Sequence, residues 1–468
     1  MNILFPCSNK FILKVAKKLT SKKNKVWFHG YKTNNLVKNI YDINYIINNY
    51  HNLKLNINFK KKTKNSELYK KLFMMTSKRI YFKKNLDLND LFWKLTNFFY
   101  NKLKKKNIKH VVFYAAPHYP FEFSLYYASK LLKINIYIFF KTSFDNYFII
   151  KKDWVSSWKY KNFKLKKKIF LTDFNKSKVI KTTKDKSKND VYGYLFLIFF
   201  IKQIAKILFY KDNPDKDGYF SLSPKKSFLE IYLKIKLYIK IITNKYLYKL
   251  KYSEKINYKN FKYVYYPIHF EPERTVCPEG GIKFSDQIRI IKLLRKSIPQ
   301  NIKIIVKEHP NQFILHNAQI ESLYYKKKEF YEQIIKIKNV VIAKLDYNSI
   351  ELIKNSICTC TISGSAGWEA LSLNKKVIIF SNAWYAQHKN CMFVNKNNKE
   401  IIKKIKKFIF KKNIANVKKM SDFKKYIKPY LYKGISIDPN NLQNKEKIIK
   451  NFTSELASLF KKNYKIAK

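Results

Sequence analysis

Short apolar runs alternate with helical patterns along the first third of the chain. The runs predict strands at residues 2–5, 26–29, 79–82, 109–114 and 134–140. Apolar residues at helical spacing predict helices at residues 11–19, 88–104 and 121–132. Strands that alternate with helices are typical of a parallel, doubly wound α/β sheet. We therefore assign residues 1–150 to a Rossmann-like domain.

The same alternation returns from residue 261 onward. Apolar runs predict strands at residues 262–268, 302–306, 340–343, 357–362 and 376–380. Helical patterns follow at residues 285–296, 317–337, 350–354, 368–373, 399–410 and 446–460. We assign residues 261–430 to a second Rossmann-like domain and residues 431–468 to a C-terminal helix. The predicted class is α/β.

The alternation is lost between the two halves, at residues 151–260. This stretch is rich in Lys, Tyr and Phe, with helical patterning at residues 228–250, and we predict a helical insertion or linker that faces a membrane. The apolar run at residues 191–201 is too short to span a bilayer. Residues 203–210 fit either a basic amphipathic helix on a membrane surface or a core helix with a lysine edge.

Charge adds a second constraint. The 468 residues include 97 Lys and Arg against 31 Asp and Glu, a formal net charge of +66. Such a chain is attracted to anionic membrane surfaces and acidic polymers. Lysine clusters lie at residues 60–62, 104–106 and 166–168. An alternative function is therefore that of a non-catalytic protein that binds nucleic acid or an acidic polymer. The lysines are spread evenly and no nucleic-acid module is recognisable, so we expect no specific nucleic-acid partner.

The cysteines favour a cytoplasmic protein without a metal site. There are five, and Cys358 and Cys360 lie on one face of a predicted strand without a second pair to complete a zinc site. We predict reduced thiols. No basic region followed by a long apolar stretch opens the sequence, so we expect no signal peptide.

A strand, a small-residue turn and a helix follow one another at residues 357–373. The turn is Ser363-Gly364-Ser365-Ala366-Gly367. Backbone N–H groups at the start of a helix lack partners, and the helix dipole there favours an anion. The turn therefore predicts a phosphate site, although a buried helix start capped by its own serine fits the same residues.

Polar clusters follow three predicted strands of the second half, at residues 269–275, 307–310 and 363–369. Carboxyl ends of parallel strands meet at one edge, where α/β sheets bind ligands. We expect the turn and His309 on nucleotide phosphates and Glu369 on ribose hydroxyls. The predicted nucleotide-binding residues are His269, Lys307, His309, Pro310, Ser363, Gly364, Ser365, Gly367 and Glu369.

These clusters resemble motifs of the capsule polysaccharide synthesis family, which includes bacterial Kdo transferases. The strings are YYPIHFEPERTVCPEGGIKFSDQ, IIVKEHPNQF and CTISGSAGWEALSLNKKVIIFSNAWY, within residues 262–385. The resemblance implies a GT-B-like glycosyltransferase in which two Rossmann-type domains face a cleft. It implies a nucleotide-sugar donor in the second half, with His309-Pro310, Ser363 and Ser365 at the phosphate of a CMP-linked sugar. It also implies an acceptor glycan or lipid-linked glycan, no cofactor and no metal.

A general base must accept the proton of the acceptor hydroxyl. Ala116-Pro117-His118 with Glu122 resembles the family's N-terminal motif, so His118 and Glu122 are candidates. Glu271 and Glu273 are the others. A structural loop histidine and a rigid polar turn beside prolines fit these residues equally.

The leading hypothesis is a glycosyltransferase of capsular or other surface polysaccharide synthesis, for example one that transfers Kdo from CMP-Kdo. We expect it in the cytoplasm, peripheral on the inner face of the cytoplasmic membrane. A CDP-glycerol-type polyol-phosphate transferase is the nearer alternative, because such enzymes also carry a His-Pro and a Ser-rich motif.

Overall fold

The structure, a computed structural model, describes about two thirds of the chain. The described residues are 1–6, 10–21, 24–29, 35–37, 52–55, 66–77, 87–113, 115–144, 147–152, 201, 228–314, 322–323, 325–395, 398–410, 418–433 and 445–466. Four predictions lie outside these residues, namely the strand at 79–82, the helix at 203–210, the apolar run up to residue 200 and the lysine clusters at 60–62 and 166–168.

Strands and helices alternate through the described residues. The strands are β1 (Asn2–Phe5), β2 (Lys25–His29), β3 (Asn35–Val37), β4 (His110–Phe113), β5 (Asn135–Lys141), β6 (Tyr147–Lys151), β7 (Tyr263–Pro267), β8 (Lys303–Lys307), β9 (Val340–Ala343), β10 (Cys358–Thr361), β11 (Lys376–Ile379), β12 (Cys391–Phe393) and β13 (Tyr432–Lys433). The helices are α1 (Lys10–Leu19), α2 (Ser66–Ser77), α3 (Leu88–Lys105), α4 (Pro120–Leu131), α5 (Phe228–Leu247), α6 (Gly281–Phe284), α7 (Gln287–Ser297), α8 (Lys328–Ile335), α9 (Ser349–Asn355), α10 (Ser365–Ser372), α11 (Lys399–Phe410), α12 (Lys418–Ile427) and α13 (Lys445–Ile466).

The first unit comprises residues 1–177, 211–225 and 427–468. Its sheet has the order β13-β6-β5-β4-β1-β2-β3, parallel from β5 to β3. Strands β6 and β13 extend it in antiparallel pairing. Helix α13 buries Phe452, Leu456 and Phe460 in the core of this sheet. The C-terminal segment, predicted only as a helix, thus also supplies an edge strand.

The second unit comprises residues 178–210 and 226–426. Its sheet has the order β12-β11-β10-β7-β8-β9 with every pair parallel. Strands β7 to β9 consist mainly of β-branched and aromatic residues and are almost fully buried. Parallel strands covered by helices on both faces require such continuous apolar runs.

In both sheets the order in which the chain adds strands reverses at one point, which defines the doubly wound fold. The strand order places the fourth strand of each unit beside the first, so the chain winds outward in both directions from that pair. The predicted fold class, α/β with two Rossmann-like domains, is confirmed. Because the crevice of such sheets opens at this pair, β7 and β10 locate the second unit's ligand edge.

The helix predicted at residues 317–337 is wrong for residues 325–327, and residues 322–323 form a 3₁₀ turn. Helix α8 begins only at Lys328, and Lys326 has a left-handed φ of 40°. The carbonyl groups of Ser322, Leu323 and Tyr325 in the preceding turn accept hydrogen bonds from the ammonium of Lys240, and the Ser322 carbonyl also accepts the Tyr325 N–H at 3.3 Å. The tertiary contact therefore overrides the helical pattern of the sequence.

Residues 228–260 of the middle segment belong to the second unit. Helix α5 continues into a π-helical turn at Tyr248–Tyr252. Its buried side chains include Leu237, Ile241 and Tyr248. In the part of the chain that the structure describes, no helix combines the length and the hydropathy needed to cross a membrane.

Candidate functional site

The three predicted motif loops leave neighbouring strands at the carboxyl edge of the second sheet. His269 follows β7, His309 follows β8 and Gly364 follows β10. Because the strand order is β10-β7-β8, these loops are adjacent in space. The structure therefore brings together the residues that the sequence motifs had placed at one edge.

His269 contacts the turn after β10 through its imidazole Nε2. Its Nε2 accepts a hydrogen bond from the Ile362 N–H at 3.0 Å and lies 3.0 Å from Thr361 Oγ1. Thr361 Oγ1 in turn accepts the Gly364 N–H at 3.1 Å. Burial, and secondarily the charge of Lys326, lowers the pKa of His269 to about 3, so the ring is neutral. Because Nε2 accepts a backbone N–H, the ring proton resides on Nδ1.

Two glycines allow this turn to pack closely. A Cβ on Gly364 would lie 2.8 Å from Cε1 and 3.4 Å from Nδ1 of His269. A Cβ on Gly367 would lie 2.8 Å from Cζ of Tyr385, whose hydroxyl donates to the Gly364 carbonyl at 2.5 Å. Any larger side chain at either position would displace an aromatic ring. The glycines are thus required by close approach, since neither has a positive φ.

The start of helix α10 presents free backbone donors. Gly364 is its N-cap and makes no side-chain cap. Among the described residues, the N–H groups of Ser365 and Ala366 make no hydrogen bond, whereas that of Gly367 bonds to the Gly364 carbonyl at 3.2 Å. Unpaired N–H groups at a helix start favour an anion. His269 Nδ1 would lie 3.4 Å from a Cβ on Gly364, the N-cap of this helix.

His309 is a neutral donor on the neighbouring loop. Its Nδ1 accepts the Asn311 N–H at 3.2 Å as the N-cap of the 3₁₀ turn Pro310–Phe313. Burial, with the charges of Lys326 and Lys307, lowers its pKa to about 4. The ring proton is therefore on Nε2, which makes no hydrogen bond within the described residues. Pro310 occupies the first position of the turn, where a missing N–H costs nothing.

A buried ion pair lies under the two histidine loops. Lys326 Nζ is 2.7 Å from Glu308 Oε1, with side-chain exposures of 1% and 0%. Glu308 Oε1 also accepts the His309 N–H at 2.7 Å, and Oε2 accepts the Tyr331 hydroxyl at 2.7 Å. Lys326 Nζ donates as well to the His269 carbonyl at 2.5 Å. Burial raises the pKa of Glu308, and Lys326 opposes that shift.

Glu271, predicted as a catalytic base, is buried in an amide network. Its Oε1 accepts from Gln287 Nε2 at 2.7 Å, and Gln287 Oε1 accepts the His269 N–H at 2.8 Å. Gln312 bonds to both the N–H and the carbonyl of Glu271 at 3.0 Å. Burial raises the pKa of Glu271. These contacts fix the loop after β7, and the catalytic role stays a prediction.

Ser363 and the loop containing Glu273 are connected through Glu279. Ser363 Oγ donates to Glu279 Oε2 at 2.9 Å, and Glu279 Oε1 lies 2.8 Å from Arg274 Nε. Glu273 is exposed, and its carbonyl caps the turn that follows it. Ser363 was predicted to bind the donor directly, but its hydroxyl hydrogen is directed at a carboxylate.

Lys307 and Glu369, the lysine and the glutamate among the predicted donor residues, each bond to a serine side chain. Lys307 Nζ donates to Ser349 Oγ at 3.2 Å, at the start of α9. Glu369 is half-buried, its pKa is raised by burial, and a hydrogen bond from Ser365 opposes this shift. The Ser365 hydroxyl thus bonds to Glu369 within the same helix.

His118 and Glu122 lie together in the first unit, after β4. His118 Nδ1 donates to the Ala116 carbonyl at 2.8 Å. Glu122 Oε2 accepts the N–H groups of His118 at 3.0 Å and of Tyr119 at 3.3 Å, so it caps helix α4. The carboxylate lies 3.4 Å from His118 Nδ1. Its capping role is structural, and a role in catalysis stays a prediction.

Several residues of the site were not predicted from the sequence. Lys326, Gln287, Gln312, Glu279 and Tyr385 hold the loops through the contacts above. Gln287 follows Asp286, an N-cap signal, so its place at a helix start could have been found. Lys326 belongs to a run of lysines in the sequence, and nothing there distinguishes it.

Within the described ranges, no three His, Cys, Asp or Glu side chains group closely enough to hold a metal ion.

Comparisons with known proteins identify the same region. Residues 251–389 match the family model described as capsule polysaccharide biosynthesis protein. A search of curated proteins by sequence found no match.

Three solved structures show remote similarity. KpsC of Thermosulfurimonas dismutans, a beta Kdo 2,7 transferase, is 10% identical over 84% of this chain and 97% of its own, with a TM-score of 0.30. MnaA of S. aureus with UDP is 12% identical over 97% of both chains, with a TM-score of 0.26. UDP-GlcNAc 2-epimerase of Methanocaldococcus jannaschii is 13% identical over 91% of this chain and 98% of its own, with a TM-score of 0.25. The activities of these proteins do not transfer to this chain through such similarity.

The family match covers β7 to β11 and thus both histidine loops and the Ser/Gly turn. The resemblance predicted from the three motifs is confirmed for residues 251–389, which match the model of the capsule polysaccharide biosynthesis family.

Proposed function

We propose that the protein is a glycosyltransferase of capsule polysaccharide synthesis whose second unit binds the phosphate of a nucleotide-sugar donor at the edge of β10, β7 and β8. One observation carries the proposal. Two neutral imidazoles, each with its N–H unpaired among the described residues, lie on the loops after β7 and β8, at the same sheet edge as a helix start with free amides and inside the segment that matches the family.

Neutral donors suit a departing phosphate. As the bond between the sugar carbon and the phosphate oxygen breaks, negative charge grows on that oxygen. Fixed N–H dipoles stabilise this charge without reorganisation, and a lost donor of this kind costs about 10²–10³ in rate. His309 Nε2, His269 Nδ1 and the amides of Ser365 and Ala366 would supply them. Glu369 would accept from a ribose hydroxyl.

The acceptor step needs a base. The acceptor hydroxyl oxygen forms the new bond to the sugar carbon, and its proton passes to the base. We assign this role to His118, because it lies in the motif Ala116-Pro117-His118 that resembles the family's N-terminal motif and its ring is oriented by the Nδ1 bond to the Ala116 carbonyl. A CMP-linked donor such as CMP-Kdo is our first candidate, and the acceptor is a glycan or a lipid-linked glycan.

We also propose that the protein binds an anionic membrane surface. Helix α5 and its π-turn expose Tyr232, Ile239, Ile242, Tyr246 and Leu250, with lysines between them. Apolar and aromatic side chains flanked by lysines bind anionic lipid interfaces, and salt weakens the attraction. Co-sedimentation with vesicles of anionic lipid at low and high salt tests this. Equal binding to neutral vesicles, or none to anionic ones, would refute it.

The activity is tested by incubation with CMP-Kdo, CDP-glycerol and UDP-GlcNAc in parallel, with release of the nucleotide as readout. We expect release from the CMP-sugar and none in His309→Ala. Release from CDP-glycerol alone would establish the polyol-phosphate alternative. Turnover of no donor, together with tight duplex-DNA binding at physiological salt, would establish the basic-protein alternative.

A further inference from the structure

Lys326 connects the two histidine loops through one buried ammonium group. Its Nζ donates to the carbonyl of His269 at 2.5 Å and to Glu308 Oε1 at 2.7 Å. The same carboxylate oxygen accepts the N–H of His309 at 2.7 Å. Each histidine is thus attached through its backbone to one ion pair. Movement of the ammonium would change the spacing of the two imidazoles.

The backbone of Lys326 is held in turn by helix α5. Asn244 Nδ2 donates to the Lys326 carbonyl at 2.8 Å. One turn earlier, Lys240 Nζ donates to the carbonyls of Ser322 at 2.6 Å, Leu323 at 3.3 Å and Tyr325. Residues four apart lie on the same face of a helix. Helix α5 therefore fixes the turn that contains Lys326, a residue with a left-handed φ of 40°.

We propose that Lys326 is a positioning residue for the donor site, which sets the spacing of His269 and His309, and that Lys240 and Asn244 hold it in place. This inference rests on the proposed function. It assigns the middle-segment helix a role in the donor site of the second unit. It names residues outside the three sequence motifs, which the family resemblance does not assign.

A general contribution to stability is the competing explanation. A buried ion pair gives little net stability, because the desolvation of both charges offsets their attraction. Removal of one partner leaves an unpaired buried charge, so a single variant would destabilise the fold in any case. Joint replacement by neutral groups of similar shape avoids this. That double variant separates positioning from stability.

The experiment compares Lys326→Met/Glu308→Gln with a matched control, Lys354→Met/Glu351→Gln, an exposed pair with a 2.7 Å contact on helix α9. The readouts are the thermal unfolding midpoint, the Kd for CMP by calorimetry, and the imidazole ¹⁵N resonances. We expect a folded double variant with at least about tenfold weaker CMP binding, and altered His269 and His309 resonances. The control should match the wild type in all three.

A second variant guards against loss of folding. Lys240→Met leaves the Lys326–Glu308 pair intact but removes the donor to three carbonyls, and we expect a smaller loss of CMP affinity, about threefold or more. Wild-type CMP affinity and unchanged imidazole resonances in Lys326→Met/Glu308→Gln would overturn the proposal, and so would unchanged values in Lys240→Met if the double variant does not fold. If the wild type binds no nucleotide, the proposed function fails, and the ligand-free resonances still decide whether Lys326 positions the histidines.

Discussion

The imidazole of His269 lies directly beneath Gly364, so close that a Cβ at residue 364 would be 2.8 Å from Cε1. The two residues are 95 positions apart in the sequence, on the loops after β7 and β10. Their contact joins the loops after the first and fourth strands of the second unit, where the strand order reverses. The shape of the predicted phosphate site therefore depends on this pair.

Gly364→Ala should weaken nucleotide binding. The added methyl group must move the imidazole or the turn, and overpacking of this kind costs about 1–3 kcal/mol. We expect at least about a tenfold increase in the Kd for CMP, measured by calorimetry. Ser372→Ala, in the last turn of the same helix, is the control and should bind like the wild type. Equal affinities of Gly364→Ala and the control would contradict the packing argument.

His309 should remain neutral well below the ordinary pKa of histidine. Its folded pKa of about 4 lies below the unfolded value near 6.5. The unfolded chain therefore takes up the proton first as the pH falls. The contribution of the neutral His309 to stability is complete above pH 6.5 and is lost as the pH approaches 4.

The measurement is the difference in the free energy of unfolding between the wild type and His309→Gln. We expect this difference to change in favour of the variant as the pH falls from 6.5 to 4. In parallel, imidazole ¹⁵N shifts should show the proton of His309 on Nε2. A titration of His309 near pH 6.5 would disprove the assigned protonation state.

The sequence predicted the sheet better than the supports of the site. Apolar runs locate β8, β9 and β11 within one residue, because buried parallel strands must be apolar throughout. The His-Pro and Ser/Gly motifs located His309 and Gly364, because turns need these residue types. Lys326 could not be found, since its role depends on the contact between α5 and a turn more than 80 residues later. The strand β13 was missed because two residues carry no periodic pattern.

Glu369 should contribute to the affinity for a nucleotide only when the ribose carries its 2′ and 3′ hydroxyl groups. If the carboxylate accepts from a ribose hydroxyl, Glu369→Gln loses a hydrogen bond to a charged group, worth about 1.5–3 kcal/mol. We expect roughly a tenfold or greater loss of affinity for CMP. The affinity for 2′,3′-dideoxy-CMP should be equal in the wild type and Glu369→Gln. Equal losses for both nucleotides would place the ribose elsewhere.

His118→Asn should affect transfer but not donor binding. Removal of a general base lowers the rate by about 10²–10⁴, whereas His118 lies in the first unit and not among the residues of the donor site. We expect kcat for transfer to fall and the Kd for CMP to remain unchanged. Glu122→Gln, which keeps an acceptor for the helix N–H groups, is the comparison variant. A wild-type kcat in His118→Asn would remove it from the mechanism.

The central claim is that neutral histidine N–H groups bind the phosphate of a nucleotide-sugar donor. It is tested most directly by calorimetry of CMP, CDP, UDP and GDP with the wild type and His309→Ala. We predict that the wild type binds at least one of these nucleotides, with CMP or CDP the tightest, and that His309→Ala loses at least about tenfold in affinity. Absence of binding to all four, or an equal Kd in the wild type and His309→Ala, would contradict it.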